Sequence, residues 1–194
     1  KLLFTELTSS NIDYWVSTPA LAEICSKFDD FNNEKINKLS EFIFAGEVLT
    51  KKLVKNLMDR FPNTKIINGY GPTETTICTT FYKYVFSDNT NGVVPIGRPF
   101  ANNKLVVVSK GGSLQPVLTP GELYVCGNNV SSGYLNNPEL TAKSFVNYKY
   151  TSEALSYRTG DTVYWDNTGL LHFIGRKDFQ IKIKGVIKYM NYYF

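Results

Sequence analysis

Three short apolar segments alternate with two helix-like segments in the first 70 residues, and this alternation restricts the fold more than any other feature. The apolar segments are "NIDYWVS" at residues 11–17, "EFIFAGE" at residues 41–47, which ends in a Gly-Glu turn, and "KII" at residues 65–67. Their length and apolar content are typical of buried strands. Strands that alternate with helices form a parallel sheet with helices packed against it. We therefore expect an α/β layer over residues 1–88.

Both helix-like segments begin with recognisable start signals. Thr18 precedes Pro19, a pairing that favours a helix start, and the spacing of the apolar residues that follow predicts one buried face, formed by Leu21, Ile24, Cys25 and Phe28. Thr50 precedes a second helix, which Pro62 ends and whose apolar stripe consists of Leu53, Val54, Leu57, Met58 and Phe61.

The pattern changes after Thr80. Hairpin signals occur at Gly111-Gly112 and at residues 166–169, "GELYVCG" is typical of a strand, and Pro138 opens a short helix. These signals predict a β-rich, barrel-like part over residues 89–175, followed by a short connector and tail at residues 176–194.

Composition narrows the function classes. Hydrophobic residues make up 43% of the 194, enough for a packed core. The formal net charge of +4 is scattered, so we expect no nucleic-acid partner, and no apolar run is long enough for a membrane span. The three cysteines are far apart, which fits a reducing compartment, and we expect a cytoplasmic protein. The single histidine, His172, is expected to be a strand residue without a catalytic role.

The stretch "NGYGPTE", Asn68 to Glu74, follows the third strand directly. Ligands of parallel sheets bind beyond the carboxyl ends of the strands, where this stretch and "AGE" both fall. Gly71 and Pro72 favour a rigid loop. The ring of Tyr70 offers a flat face to a base, the Thr73 hydroxyl and the loop amides can contact phosphate, and the Glu74 carboxylate can hold magnesium. The same residues also fit a purely structural turn.

Two further charged motifs follow. In "YRTGD" the predicted strand ends at Asp161, whose carboxylate can accept both hydroxyls of a ribose. In "GRKDF" the guanidinium of Arg176 can reach a ribose or phosphate oxygen, and Asp178 lies in a charged connector. Charges of this kind also occur as ordinary surface residues.

Four segments stand in a characteristic order: "NGYGPTE", "GELYVCGNNVSSGYLNNPELTAKSF", "YRTGD" and "GRKDFQIKIKG". In this order the chain resembles amino-acid-adenylating enzymes from about Asn11 to Gly185. It is most similar to the D-alanine–D-alanyl carrier protein ligases, and nonribosomal peptide synthetase adenylation domains are near relatives. The resemblance implies the C-terminal portion of the large N-terminal domain of an adenylate-forming enzyme.

The resemblance also implies a reaction and a set of roles. ATP, with magnesium, would activate an amino-acid carboxylate, and the aminoacyl group would pass to the thiol of a phosphopantetheinylated carrier protein. The implied catalytic residues are Thr73, Glu74 and Arg176, and Glu74 is the implied magnesium ligand. Asp178 would be the hinge before a small C-terminal domain. The implied nucleotide-binding residues are Asn68, Gly69, Tyr70, Gly71, Thr73, Asp161 and Arg176.

The amino-acid pocket departs from the family pattern. The implied substrate-binding residues are Ala45, Gly46, Glu47 and Gly69. Ala45 stands where these ligases commonly have cysteine, and Gly69 where they often have threonine. Both changes enlarge the pocket floor, and a change of this size alters selectivity by about 1–3 kcal/mol. A larger or L-configured amino acid is therefore an alternative to D-alanine.

Other departures concern the whole reaction. The resemblance leads us to expect a Ser/Thr/Gly-rich phosphate loop with its lysine and the catalytic lysine of a small C-terminal domain, and neither has a counterpart in the sequence. We therefore expect the 194-residue chain alone to be inactive.

Residues 186–194 lose the resemblance abruptly, which predicts an out-of-frame or spliced end. The alternatives are a nonribosomal peptide synthetase adenylation domain and a non-catalytic, nucleotide-binding remnant.

Overall fold

The chain forms two compact units. The first comprises Lys1–Gly69 and Tyr82–Val94, and the second comprises Tyr70–Phe81 and Pro95–Phe194. The computed structural model describes residues 6–7, 9, 11–86, 91–100, 102–151, 155–177, 180–183 and 186–189.

The first unit contains the predicted parallel sheet. Strand β1 (Tyr14–Ser17) pairs in parallel with β2 (Glu41–Phe44), and β2 pairs in parallel with β3 (Lys65–Tyr70). The connections carry helices α1 (Pro19–Cys25) and α2 (Lys51–Arg60). The predicted alternation of strand and helix is confirmed.

Helix α2 follows its sequence signals closely. The Thr50 hydroxyl accepts a hydrogen bond from the Leu53 amide at 3.2 Å, which caps the helix N-terminus. The predicted stripe faces the core, with Met58 only partly buried. It packs against an aromatic cluster in which Phe61 contacts Phe31 and Phe42 edge-to-face.

The predicted face of helix α1 is wrong for three of its four residues. Leu21, Ile24 and Phe28 are 42%, 55% and 50% exposed. The helix turns another face to the core, formed by Pro19, Ala22 and Cys25. These residues also recur every third position, and Ala22 is fully buried in the core of this unit. Periodicity alone did not distinguish the two faces.

The second unit is β-rich, as predicted. Its strands are β4 (Thr80–Lys83), which begins in this unit, β5 (Arg98–Pro99), β6 (Asn103–Val108), β7 (Gly121–Gly127), β8 (Phe145–Val146), β9 (Ser156–Trp165), β10 (Leu171–Arg176), β11 (Gln180–Ile183) and β12 (Val186–Tyr189). Antiparallel pairing gives the order β10-β9-β7-β6, with β8 also on β9. Strands β11 and β12 form a separate antiparallel hairpin. The short helix α3 is Pro138–Ser144.

A buried apolar cluster supports this sheet. It contains Ile96, Val107, Leu123, Val125, Val163 and Leu171, and Tyr70 packs against it with part of its ring exposed. Tyr70 is thus anchored in the core of the unit that carries the late motifs of the sequence.

The β9–β10 hairpin holds the single histidine. His172 lies on β10, stacks on Tyr164 at 4.8 Å between ring centroids and contacts the Asp166 carboxylate at 2.7 Å. Burial alone would raise the pKa of Asp166, but hydrogen bonds from His172, Thr168 and the Leu170 amide outweigh burial and hold that pKa well below its usual range. These contacts stabilise the turn at residues 166–170.

Within the described part of the chain, none of the helices combines the length and apolar character that a membrane span requires.

Candidate functional site

The loop after β3 is a tight turn whose two ends meet. Residues Thr73–Thr75 form one turn of 3₁₀ helix, and the Thr79 amide returns to donate to the Tyr70 carbonyl at 2.7 Å. A Cβ atom on Gly71 would lie 2.7 Å from the Ile77 carbonyl carbon and 2.8 Å from the Thr79 nitrogen. The loop therefore needs glycine at residue 71 for space.

The loop also contains strained backbone. Thr76 and Ile77 have φ angles of 58° and 68°, a left-handed conformation that β-branched residues rarely adopt. Such strain persists only where surrounding contacts enforce it, and it occurs often at functional sites. Here the Thr76 hydroxyl donates to the Asn129 carbonyl at 2.9 Å, and Asn129 Nδ2 donates to the Thr75 carbonyl at 2.9 Å.

Tyr70, Asp161 and Arg176 form the centre of the candidate site. The Tyr70 hydroxyl donates to Asp161 Oδ2 at 2.5 Å, and Arg176 Nη1 donates to Asp161 Oδ1 at 2.9 Å. The same guanidinium nitrogen donates to the Thr159 carbonyl at 2.7 Å. Tyr70 and Arg176, which are 106 positions apart in the sequence, thus donate to the same carboxylate, that of Asp161.

Asp161 does not lie at a strand end, and the prediction that it does is wrong. Strand β9 continues to Trp165, and Asp161 is 6% exposed and pairs across the ladder with Arg176. The "TGD" sequence resembles a turn because of Gly160, but this glycine (φ 72°) sits inside the strand, where the neighbouring pairings shift register. Glycine inside a strand often marks such an irregularity.

The environment of Asp161 affects its tyrosine partner. Burial, reinforced by the nearby negative charge of Asp161 and its hydrogen bond, raises the pKa of Tyr70 well above its ordinary value. The Tyr70 hydroxyl therefore stays protonated at neutral pH and donates to the carboxylate. With Arg176 on the other oxygen, the two donors fix the orientation of Asp161.

Thr73 and Glu74 lie on the 3₁₀ turn of the loop. Thr73 is exposed, and no hydrogen bond of its side chain is seen among the described residues. The Glu74 carboxylate is partly exposed and accepts a hydrogen bond through Oε1 from the Tyr134 hydroxyl at 2.6 Å. The loop thus presents a hydroxyl and a carboxylate side by side.

The remaining sequence candidates lie in the first unit. Asn68 is buried and donates to the Val94 carbonyl at 3.4 Å. Because Phe44 pairs with Asn68 in the parallel ladder, Ala45 and Gly69 follow at the same sheet edge. Gly46 turns the chain there with φ 88°.

Glu47 already has a structural contact. Its carboxylate accepts a hydrogen bond from the Ala20 amide at 3.3 Å, near the N-terminus of α1. Carboxylates are favoured at helix N-termini, so this contact stabilises the turn that carries Ala45 and Gly46. Asp178, the predicted hinge, lies outside the described residues.

Sequence reasoning missed Tyr134, Tyr157 and Asn129, which surround the loop from the segment after β7 and from β9. Tyr134 and Asn129 lie inside the long motif "GELYVCGNNVSSGYLNNPELTAKSF" but received no role. The available signal for Tyr134 and Asn129 was that each is a polar residue inside a motif and has no evident structural role in the local sequence.

No cluster of three or more metal-ligating His, Cys, Asp or Glu side chains is found in the described ranges. A magnesium ion bound through Glu74 would therefore complete its shell with water and substrate oxygens. Magnesium is commonly held in this way in phosphate-transferring sites.

Comparison with known proteins gives the family. The family model for AMP-binding enzymes matches residues 1–135. The D-alanine–D-alanyl carrier protein ligase of Listeria monocytogenes is 41% identical over 187 residues, which make up 95% of this chain and 36% of that protein. The ligase of Bacillus cytotoxicus is 39% identical over 186 residues with the same coverage. The chain therefore spans about a third of the length of the curated relatives it matches.

Solved structures agree in fold. The Vibrio cholerae adenylation domain AlmE, in complex with glycyl-adenosine-5'-phosphate, is 30% identical with a TM-score of 0.84 over 95% of this chain and 35% of that chain. PA1221, a nonribosomal peptide synthetase protein containing adenylation and PCP domains, is 28% identical with a TM-score of 0.85 over 95% of this chain and 37% of that chain. The expected architecture, α/β followed by a β-rich part of an adenylate-forming domain, is confirmed. The chain belongs to the AMP-binding enzyme family.

Proposed function

We propose that this chain carries the nucleotide-binding part of an ATP-dependent ligase that adenylates an amino acid and transfers it to a carrier protein. The observation that carries the proposal is the buried Asp161 carboxylate, oriented by Tyr70 and Arg176. One fold supports many functions, and these side chains are what favours nucleotide binding here. The D-alanine–D-alanyl carrier protein ligases among the relatives support the choice of reaction.

Asp161 would receive the ribose hydroxyls of ATP. A carboxylate with a fixed orientation is a good acceptor for two neighbouring hydroxyls, because neither side has to reorganise on binding. The ring of Tyr70 would lie against the adenine, with its hydroxyl retained by Asp161. Arg176 would hold Asp161 and contact a ribose or phosphate oxygen. Asn68, Gly69 and Gly71 complete the proposed nucleotide-binding set.

Thr73 and Glu74 would act at the phosphates. The exposed Thr73 hydroxyl would donate to a phosphate oxygen, and Glu74 would hold magnesium through a carboxylate oxygen. When bound, the ion supplies positive charge that stabilises the phosphates during displacement. Catalysis by these residues consists of positioning and charge stabilisation, without a covalent protein intermediate.

The proposed reaction has two displacements. An amino-acid carboxylate oxygen forms a bond to the α-phosphorus of ATP, and the bond from that phosphorus to the bridging oxygen breaks, which releases pyrophosphate. The phosphopantetheine thiol of the carrier protein then attacks the aminoacyl carbonyl, loses its proton and displaces AMP. Asp178 would be the hinge between these two steps.

The amino acid would bind at the sheet edge that carries Ala45, Gly46, Glu47 and Gly69. D-alanine is the first candidate because the relatives are named for it. The AlmE structure, which holds glycyl-adenosine-5'-phosphate, and the adenylation and PCP domains of PA1221 favour a second candidate, activation of another amino acid in a nonribosomal peptide synthetase. A third candidate is a nucleotide-binding remnant without catalysis.

The test is amino-acid-dependent exchange of labelled pyrophosphate into ATP. It is run on the protein expressed from the full reading frame, with D- and L-amino acids, and in parallel on the 194-residue chain. We expect exchange with D-alanine or another small amino acid from the first sample and none from the second. Absence of exchange with every amino acid in both samples would contradict the ligase proposal, and AMP binding without exchange would favour the remnant.

A further inference from the structure

The segment after β7 is bound to the site loop along its length. The Ser131 amide donates to the Glu74 carbonyl at 2.9 Å, next to the hydrogen bonds that join Asn129 to Thr75, Thr76 and Thr79 of the loop. Tyr134 adds a side-chain contact to Glu74 itself. Residues 129–134 therefore fix both the backbone and the carboxylate of Glu74.

The two oxygens of the Glu74 carboxylate have different surroundings. Oε1 accepts the Tyr134 hydroxyl at 2.6 Å, a short distance typical of a hydrogen bond to an ionised group. Among the described residues no hydrogen bond to Oε2 within 3.5 Å is seen, although the Tyr157 hydroxyl also interacts with this carboxylate. One oxygen is thus held by the protein, and the other is available to a cation.

A second tyrosine extends the contact into the core. The hydroxyls of Tyr134 and Tyr157 lie 3.4 Å apart. A phenol has a single hydrogen, so Tyr134, which gives its hydrogen to Glu74, can only accept from Tyr157. The donor direction therefore runs from Tyr157 through Tyr134 to Glu74.

Ring packing holds the hydrogen-bonded side chains of Tyr157, Tyr134 and Glu74 in place. The Tyr134 ring meets Phe145 edge-to-face at 5.4 Å between centroids, and Phe145 lies 5.0 Å from the Tyr157 ring. Tyr157 is buried in the sheet, so its position is set by the fold. Replacing Tyr134 by phenylalanine removes the hydroxyl and preserves these ring contacts.

We propose that Tyr134 is a positioning residue, which orients the Glu74 carboxylate so that Oε2 receives the magnesium ion of the bound nucleotide. The inference rests on the proposed function, in which Glu74 holds that ion. It assigns a task to the "GYL" part of the long motif. Tyr157 donates to Tyr134, Tyr134 donates to Glu74, and only Glu74 would contact the cation.

The test compares ATP binding by the intact chain with magnesium present and with magnesium removed by EDTA. The ratio of the two dissociation constants is the magnesium preference. A purely structural defect weakens both constants together and leaves the ratio unchanged. Partners of metal ligands commonly contribute about 10–100-fold to metal affinity. We therefore expect Tyr134→Phe to lower the preference about 10-fold or more.

The matched control is Tyr148→Phe, which removes a phenol hydroxyl that donates to the Gly112 carbonyl at 3.1 Å, away from the loop. It should leave the preference unchanged. Tyr157→Phe should lower the preference by less than Tyr134→Phe, because Tyr134 still donates to Glu74. In a Glu74→Gln background, Tyr134→Phe should have no further effect, since its action passes through that carboxylate.

The outcomes separate the two proposals. If Glu74→Gln leaves the magnesium preference of the chain unchanged, the proposed magnesium role of Glu74 fails, and the role of Tyr134 fails with it. If Glu74→Gln lowers the preference and Tyr134→Phe does not, only the inference on Tyr134 is overturned. If Tyr134→Phe lowers the magnesium preference equally in the wild-type and in the Glu74→Gln background, the inference on Tyr134 is also overturned.

Discussion

Arg176→Met tests whether Asp161 is a buried carboxylate that depends on its partners. The Asp161 side chain is 8% exposed and that of Arg176 25% exposed, with 2.9 Å between Nη1 and Oδ1. Removing one partner of a buried pair costs about 3–5 kcal/mol, because it leaves a charge without compensation. Tyr70 still donates to Asp161 in the variant, so we expect the low end, about 3 kcal/mol of unfolding free energy.

The measurement is urea denaturation followed by tryptophan fluorescence. The chain has two tryptophans, Trp15 in the first unit and Trp165 in the second. In a Trp15→Phe background, Trp165 reports on the unit that carries the pair. Asp161→Asn added to Arg176→Met should recover part of the loss, because it removes the buried negative charge from which the guanidinium was taken.

Arg158→Met is the matched control for this experiment. Arg158 lies on β9, the strand of Asp161, and its side chain is 34% exposed. Its Nη2 atom lies 3.4 Å from Oε2 of Glu122, a longer distance than that between Arg176 and Asp161. The Glu122 side chain is also buried, at 10% exposed, but Lys177 Nζ lies 3.1 Å from the same carboxylate oxygen and compensates its charge when Arg158 is lost. Arg158→Met should therefore cost less unfolding free energy than Arg176→Met, and a loss for Arg176→Met no larger than that for Arg158→Met would contradict the energetic importance of the Arg176 contact to Asp161.

Two further predictions concern the loop and the hairpin turn. Gly71→Ala should lower the unfolding free energy by about 1–3 kcal/mol, because the added methyl group overpacks against Ile77. Gly111→Ala should be tolerated, because the nearest atom to its added methyl group is 3.8 Å away, and equal urea midpoints for the two variants would contradict this prediction. Because the pKa of Asp166 is lowered on folding, its contribution to stability is present above its ordinary value of about 4 and is lost as pH falls below it. Asp166→Asn should therefore flatten the acid side of the stability profile followed by Trp165 fluorescence, and an unchanged slope would contradict the assignment.

The local parts of the fold could be predicted from the sequence. Thr50 and the stripe from Leu53 to Phe61 define helix α2 by capping and periodicity, which depend only on neighbouring residues. Pro138 correctly marks the start of α3. The failure at α1 has a physical cause, because apolar residues occupy two faces and packing selects the one with Ala22.

The site required contacts between distant residues. The sequence singles out Asp161 as a candidate, but the position of this residue inside β9 depends on ladder pairing with β7 and β10. The hydrogen bond from Tyr134 to Glu74 joins residues 60 positions apart, and no local pattern encodes it. The spatial relation of Tyr70 to Asp161 followed from the resemblance, and the 2.5 Å contact shows that the two side chains do meet.

One binding measurement determines whether Asp161 receives the ribose of an adenine nucleotide. Calorimetry compares AMP with 2',3'-dideoxy-AMP on the wild-type chain and on Asp161→Asn. Hydrogen bonds to a charged group contribute about 1.5–3 kcal/mol, so the wild type should prefer AMP about 10-fold or more, and the variant should lose that preference. An equal preference for AMP in both proteins, or none in the wild type, would contradict the account.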